Sequence, residues 1–104
     1  MSLKQKQKDV DEWISQYKLG YFKPLEILAR LTEEVGEVAR ELSHMFGPKK
    51  KKVTEAKANL EEELADVIYT VICLANSQNI DLDRAWKKVM KKLNTRDKDR
   101  WEKK

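Results

Sequence analysis

Leu28-Ala29-Arg30-Leu31-Thr32-Glu33-Glu34-Val35-Gly36-Glu37-Val38-Ala39-Arg40-Glu41-Leu42 is the stretch whose reading decides the fold. Leu28, Leu31, Val35, Val38, Leu42 and then Met45 follow one another at spacings of 3, 4, 3, 4, 3. Apolar residues that recur in this way line one face of an α-helix. Leu25, Thr32, Ala39 and Phe46 widen the stripe, which predicts contact with more than one neighbouring element. Pro24 suits a first helical position, where its missing N–H costs nothing. Gly47-Pro48 punctuates the far end. The spacing therefore predicts a helix over about 24–46.

Similar patterns lie on either side. Val10, Trp13, Ile14 and Tyr17 fall at i, i+3, i+4, i+7 and predict a helix from Gln5 to Leu19, with Trp13 and Tyr17 in the core and Gly20 as its stop. A third helix is expected over Leu60–Gln78, opened by an Asn59/Glu62 capping box. Leu64, Val67, Ile68, Val71, Ile72, Leu74 and Ala75 cover most of its circumference and make it the most buried element. Asp81 can cap a fourth helix, Leu82–Leu93, with Ala85, Trp86, Val89 and Leu93 inward. Residues 47–58, including Lys49–Lys52, read as a loop. The ends, about 1–5 and 102–104, read as loose. The expected architecture is all-α: a four-helix bundle in one domain spanning 1–104, with its apolar faces completed by oligomerisation.

Composition agrees with that reading. Of the 104 residues, 38% are charged and 40% apolar, which suits amphipathic helices. Only three Gly and two Pro argue against a sheet sandwich rich in tight turns. Cys73 is the single cysteine, so no intrachain disulfide can form and a reducing compartment is expected. Residues 1–8 lack an apolar core for a signal peptide, and the apolar run near Val67–Ala75 is too short to span a membrane. The expected location is the cytoplasm.

The net charge is +4, yet nine of the 18 acids lie between positions 33 and 66. Glu34 and Glu37 are about 60° apart around their helix, away from the Val35 stripe. Glu33 and Glu41 flank them. The third helix repeats the theme with Glu63 and Asp66, and Glu62 is one turn before Asp66. Like charges at these spacings repel. Packing two such pairs against each other is tolerable if a cation lies between them, and Mg²⁺ takes hard oxygen ligands of this kind. Glu41-x-x-His44 is a single Glu-x-x-His pair, and His44 is the one histidine; a bundle di-iron site uses two such pairs, which disfavours one here. The plainer reading is two solvated acidic faces. Against it stands Asp66, set in Leu64-Ala65-Asp66-Val67-Ile68, where a buried acid needs a partner or a metal.

Glu33-Glu34-x-x-Glu37 followed by Glu63-x-x-Asp66 resembles the E-E-x-x-E…E-x-x-D signature of the MazG-like nucleotide pyrophosphohydrolases. The words around it, Leu31 to Glu41 and Glu62 to Ile68, resemble that family's two core helices. Asn94-Thr95-Arg96-Asp97-Lys98-Asp99-Arg100-Trp101 resembles its downstream Asn-x-Lys/Arg-x-x-x-Arg-aromatic segment. The likeness is closest to short, single-domain bacterial members and runs from about Trp13 to Trp101. It implies an Mg²⁺-dependent enzyme, with Mn²⁺ as a substitute ion, that splits (d)NTPs into (d)NMP and pyrophosphate, in the service of nucleotide-pool cleaning. It implies Glu34, Glu37, Glu63 and Asp66 as metal ligands. Glu33 would hold a further ion or orient the attacking water. It also implies a homodimer or homotetramer. Arg96, Lys98 and Arg100, with Asn94 of the same segment, are the expected substrate contacts near the β- and γ-phosphates; a solvated tail is the plainer reading. The resemblance gives the lysine run no role and does not fix the base.

Of the aromatics, Phe22, in the turn before Pro24, is the best placed to stack on a base. His44 reads as a surface residue near a helix end, and Cys73 as inert core. Other readings stay open: a non-catalytic helical interaction module, a phosphoribosyl-ATP pyrophosphatase-type enzyme, and a nucleic-acid binder using the lysines. A binder of nucleic acid would favour a basic face poor in acids, and the central carboxylates argue against it.

Overall fold

The computed structural model describes residues 2–48 and 53–104, so the Lys49–Lys52 run lies outside the described residues. Four helices follow in order, α1 (Leu3–Ile14), α2 (Pro24–Phe46), α3 (Val53–Ser77) and α4 (Leu82–Thr95), and no strand occurs among the described residues. The fold is all-α. No described helix is long and apolar enough to cross a membrane.

α1 begins where loose chain was expected. The Ser2 hydroxyl accepts from the Gln5 N–H at 3.1 Å. Leu3 and Lys4 donate their N–H groups to the Asp83 carboxylate at 3.0 and 3.3 Å. An acid from α4 thus satisfies donors that the first turn of α1 leaves open. α1 also stops earlier than its periodicity suggested, at Ile14 rather than Leu19. Beyond it the chain tightens into i→i+3 bonds, Tyr17 to Ile14 at 3.1 Å and Gly20 to Tyr17 at 3.3 Å. Gly20 has φ 64°, a conformation that favours glycine. Trp13 and Tyr17 are not core: they are 53% and 52% exposed and meet edge-to-face at 5.3 Å.

α2 occupies the expected span, with Pro24 in its first turn. Gly47 closes it by donating to the Ser43 carbonyl at 2.7 Å, and a Cβ on Gly47 would run into that same carbonyl oxygen.

α3 corrects the longest expected loop. It starts at Val53, not Leu60, so Asn59 lies inside the helix and the Asn59/Glu62 box is not its cap. The physical reason is in the residues themselves. Glu55, Ala56, Lys57 and Ala58 are good helix formers, and Ala56 is 0% exposed. α3 ends one residue short of the expected Gln78, with Ile80 donating to the Ala75 carbonyl at 2.9 Å and Asn79 at φ 55°. Asn is one of the few side chains that accepts that conformation. Asp81 caps α4 as expected, accepting from the N–H groups of Asp83 and Arg84 at 3.0 and 3.3 Å.

α2 packs along α3, α1 packs on α3, and α4 on α1. Among the described residues, four of the five buried apolar ones, Ala56, Ile72, Cys73 and Ala75, belong to α3, as its all-round apolar pattern required; Ile27 of α2 is the fifth. A polar clasp ties α1 to the end of α3. Gln7 donates to Asn76 Oδ1 at 2.8 Å and to the Ile80 carbonyl at 2.7 Å, and accepts from the Leu82 N–H at 2.9 Å. The radius of gyration is 17.0 Å, where a compact chain of about 100 residues has about 13 Å. Apolar faces also lie open among the described residues. Trp86, Val89 and Leu93, expected inward, are exposed, as are Leu28, Val35, Leu42, Leu64 and Ile68.

Candidate active site

α2 and α3 bring three acids together. Glu34, Glu63 and Asp66 each offer a carboxylate oxygen, and these oxygens lie within 4.8 Å of one another. The i, i+3 spacing of Glu63 and Asp66 aims both across the helix pair at Glu34. All three are half-buried. The Glu63 carboxyl is pushed above its ordinary value, first by desolvation and then by the charges of Asp66, Glu34, Glu37 and Glu62. Crowded anions of this sort gain from a cation among them. Hard oxygen donors at this spacing fit a divalent ion of the Mg²⁺ or Mn²⁺ type.

Glu37 stands outside the group of three. Its Oε2 lies 3.5 Å from Arg40 in an i, i+3 ion pair on the surface, although its charge still reaches Glu63. Glu33 is exposed and is not in the group.

Beside the acids opens a cavity of about 420 Å³. Glu34 and Asp66 form its acidic edge; Ile14, Tyr17, Phe22 and Tyr69 are among its apolar and aromatic walls. Phe22 lines it, and the Arg30 guanidinium lies 5.4 Å over the Phe22 ring. Burial first, then the neighbouring Cys73 side chain, push the Tyr69 pKa up to about 12. Cys73 is buried yet also lines this cavity. Burial pushes its thiol up as well, which keeps it a thiol and a weak nucleophile. The cavity thus joins an apolar, aromatic compartment to a carboxylate edge.

The tail is arranged differently. Arg96 pairs with Asp97 at 3.1 Å, and Arg100 stacks on Trp101 at 5.1 Å. Asn94, Arg96, Lys98 and Arg100 do not line the cavity, and no hydrogen bond or ion pair among the described residues joins them to the acids. His44 lies 3.4 Å from buried Glu41, two turns along α2 from the cluster.

A model of the MazG nucleotide pyrophosphohydrolase domain matches residues 22–101, which include both acidic motifs, the cavity's α2 and α3 walls and the tail. The chain belongs to this family. As a MazG protein it is a nucleotide pyrophosphohydrolase by family. It is 53% identical over 103 residues to the uncharacterized protein YpjD of Bacillus subtilis (strain 168), covering 99% of this chain and 93% of that one. Its fold is similar to the crystal structure of the Bacillus-conserved MazG protein, a nucleotide pyrophosphohydrolase. There the TM-score is 0.80 at 52% identity, over 95% of this chain and 96% of the other. It is also similar to the crystal structure of YPJD from Bacillus subtilis, with a TM-score of 0.83 at 50% identity, over 91% and 97% of the two chains.

Reading the sequence for acids alone passes over two cavity residues of this MazG chain, Arg30 and Tyr69. Their signal is positional. Arg30 is four residues before Glu34, and Tyr69 three after Asp66, so helix geometry puts each on the face of a cluster acid.

Proposed function

We propose that this chain is a Mg²⁺-dependent pyrophosphohydrolase of (d)NTPs that cuts between the α- and β-phosphates and releases (d)NMP and pyrophosphate. The observation that carries this reading is the sharing of Glu34 and Asp66 between the acid group and the aromatic cavity. A nucleotide has the same polarity: a flat, largely apolar base at one end and a string of anions at the other. With the base among Phe22, Tyr17 and Tyr69, the phosphates leave the cavity beside the carboxylates.

Glu34, Glu63 and Asp66 would hold the ion, and Glu37 would join them by turning away from Arg40. When bound, the ion offsets phosphate charge and lowers the pKa of water so that a nucleophile exists at neutral pH. Glu33, on the outer side of Glu34, would take the proton of the attacking water or hold a second ion. Attack at the α-phosphorus forms one P–O bond and breaks the bond to the bridging oxygen, and pyrophosphate departs with the electron pair. Arg96, Lys98 and Arg100 are the cations available to the leaving pyrophosphate, with Asn94 beside them, once the tail is drawn to the cavity.

The functional unit in this reading is a homodimer or homotetramer. Support comes from the stripe Leu28, Val35 and Leu42 on α2 and its counterpart Leu64, Ile68 and Val71 on α3, all exposed. A second copy of the same helix pair would bury these stripes about a two-fold axis. The experiment for the reaction is hydrolysis in water enriched with heavy oxygen. Label is expected in the monophosphate. Label in pyrophosphate would place the attack at the β-phosphorus and overturn the assignment.

A further inference from the structure

We propose that Arg30 is a substrate-contacting residue that grips the α-phosphate, the group under attack; this rests on the nucleotide reading of the cavity. Three observations carry it. Arg30 is the only cation among the described residues that line the cavity. It lies one helical turn before Glu34, so its stem leaves α2 on the face that carries the cluster acid. Its guanidinium lies over the Phe22 ring at 5.4 Å, and among the described residues it makes no ion pair.

The order of groups in the substrate then fixes which phosphate it meets. A base seated among the aromatic walls is followed by the sugar, and the α-phosphate comes next on the way to the carboxylate edge. Arg30 belongs to both compartments: it stacks on an aromatic wall and shares a helix face with Glu34. The Phe22 ring holds the guanidinium plane without neutralising it, which leaves its N–H groups free to point at an anion. A planar, permanently charged fork is well suited to non-bridging phosphate oxygens. Charge that builds on those oxygens during attack would be met by a donor already in place. The tail cations differ in this respect: Arg96 is engaged by Asp97, and none of them lines the cavity.

The test is product binding, which needs no turnover. Wild-type protein and Arg30→Ala, Arg30→Gln and Arg30→Lys variants are titrated, in Mg²⁺, with a nucleoside monophosphate and with the matching nucleoside. Heat on mixing and tryptophan fluorescence report binding. Arg30 is exposed, so the variants should keep the helical circular dichroism of the wild type. Removing a charged hydrogen bond should weaken the monophosphate on the order of tenfold to a hundredfold, leave the nucleoside within about twofold, and be partly restored by lysine. An unchanged monophosphate affinity in Arg30→Ala overturns the assignment while the cavity reading stands. Equal losses for monophosphate and nucleoside make Arg30 a wall for the base and overturn it too. Wild-type protein that binds neither ligand overturns the cavity reading and Arg30 with it.

Discussion

Glu34 of α2 and Asp66 of α3 present carboxylate oxygens within 4.8 Å of each other, with Glu63 in the same group. Both acids also line the aromatic cavity. No hydrophobic gain accounts for packing these charges together. A cation that binds the folded chain and not the unfolded one would.

Mg²⁺ should therefore stabilise the protein. At a concentration about 100 times its Kd, such a ligand contributes about 2.7 kcal/mol, which raises the melting temperature of a domain this size by roughly 10 °C or more. Asp66→Ala should melt at the same temperature with and without Mg²⁺ in differential scanning calorimetry. A full Mg²⁺ response in that variant would take Asp66 out of the site.

Glu37 separates catalysis from stability. Its visible partner is Arg40, at 3.5 Å on the surface, and an exposed pair of this kind contributes about 0–1 kcal/mol. Glu37→Gln should thus melt within a few degrees of wild type. Its turnover should fall by about a hundredfold or more if Glu37 completes the ion's ligand set. Near-normal turnover would confine Glu37 to the surface pair with Arg40.

Self-association makes stability depend on concentration. Sedimentation equilibrium at micromolar protein should give a mass of two or four chains, and Val35→Asp should lower it. Val35 is 52% exposed in the single chain, so an isolated protomer has no reason to lose stability from that change. A one-chain mass with full activity would rule out the shared bundle.

Tyr21 offers a pH readout from outside the acid group. Its hydroxyl donates to Asp11 at 2.7 Å and accepts from Asn76 at 2.9 Å. Burial first, then the Asp11 bond, push its pKa from 10.0 to about 12. Folding thus favours the neutral phenol. The stability it contributes is complete below pH 10 and is lost as pH rises toward 12. Tyrosinate absorbance should show this group titrating late, and Asp11→Asn should bring it down. A Tyr21 that titrates at its ordinary value would mean that neither its burial nor the bond to Asp11 holds in solution.

Much of this was legible in the chain because charge and apolarity keep helical time. The stripe from Leu28 to Met45 predicted the body of α2, Pro24 and Gly47-Pro48 its ends, and Asp81 the start of α4. The first turns of α3 were not legible. Residues 53–58 carry a lysine, a glutamate and two alanines, a mixture that fits a solvated loop as well as a helix, and only the burial of Ala56 on folding decides between them. Trp13 and Tyr17 had the spacing of core residues, but spacing gives a face and not what covers it. The facing acids of α2 and α3 could be read from the motif. The cavity could not, because its walls come from α1, the turn after it and two further helices.

Product analysis tests the central claim most directly. Wild-type protein and Asp66→Asn are incubated with a panel of (d)NTPs and Mg²⁺, and the products are separated by ion exchange. Wild type should yield nucleoside monophosphate and pyrophosphate in equal amounts, and Asp66→Asn neither. Diphosphate with orthophosphate as the first products, or undiminished cleavage by Asp66→Asn, would contradict the account.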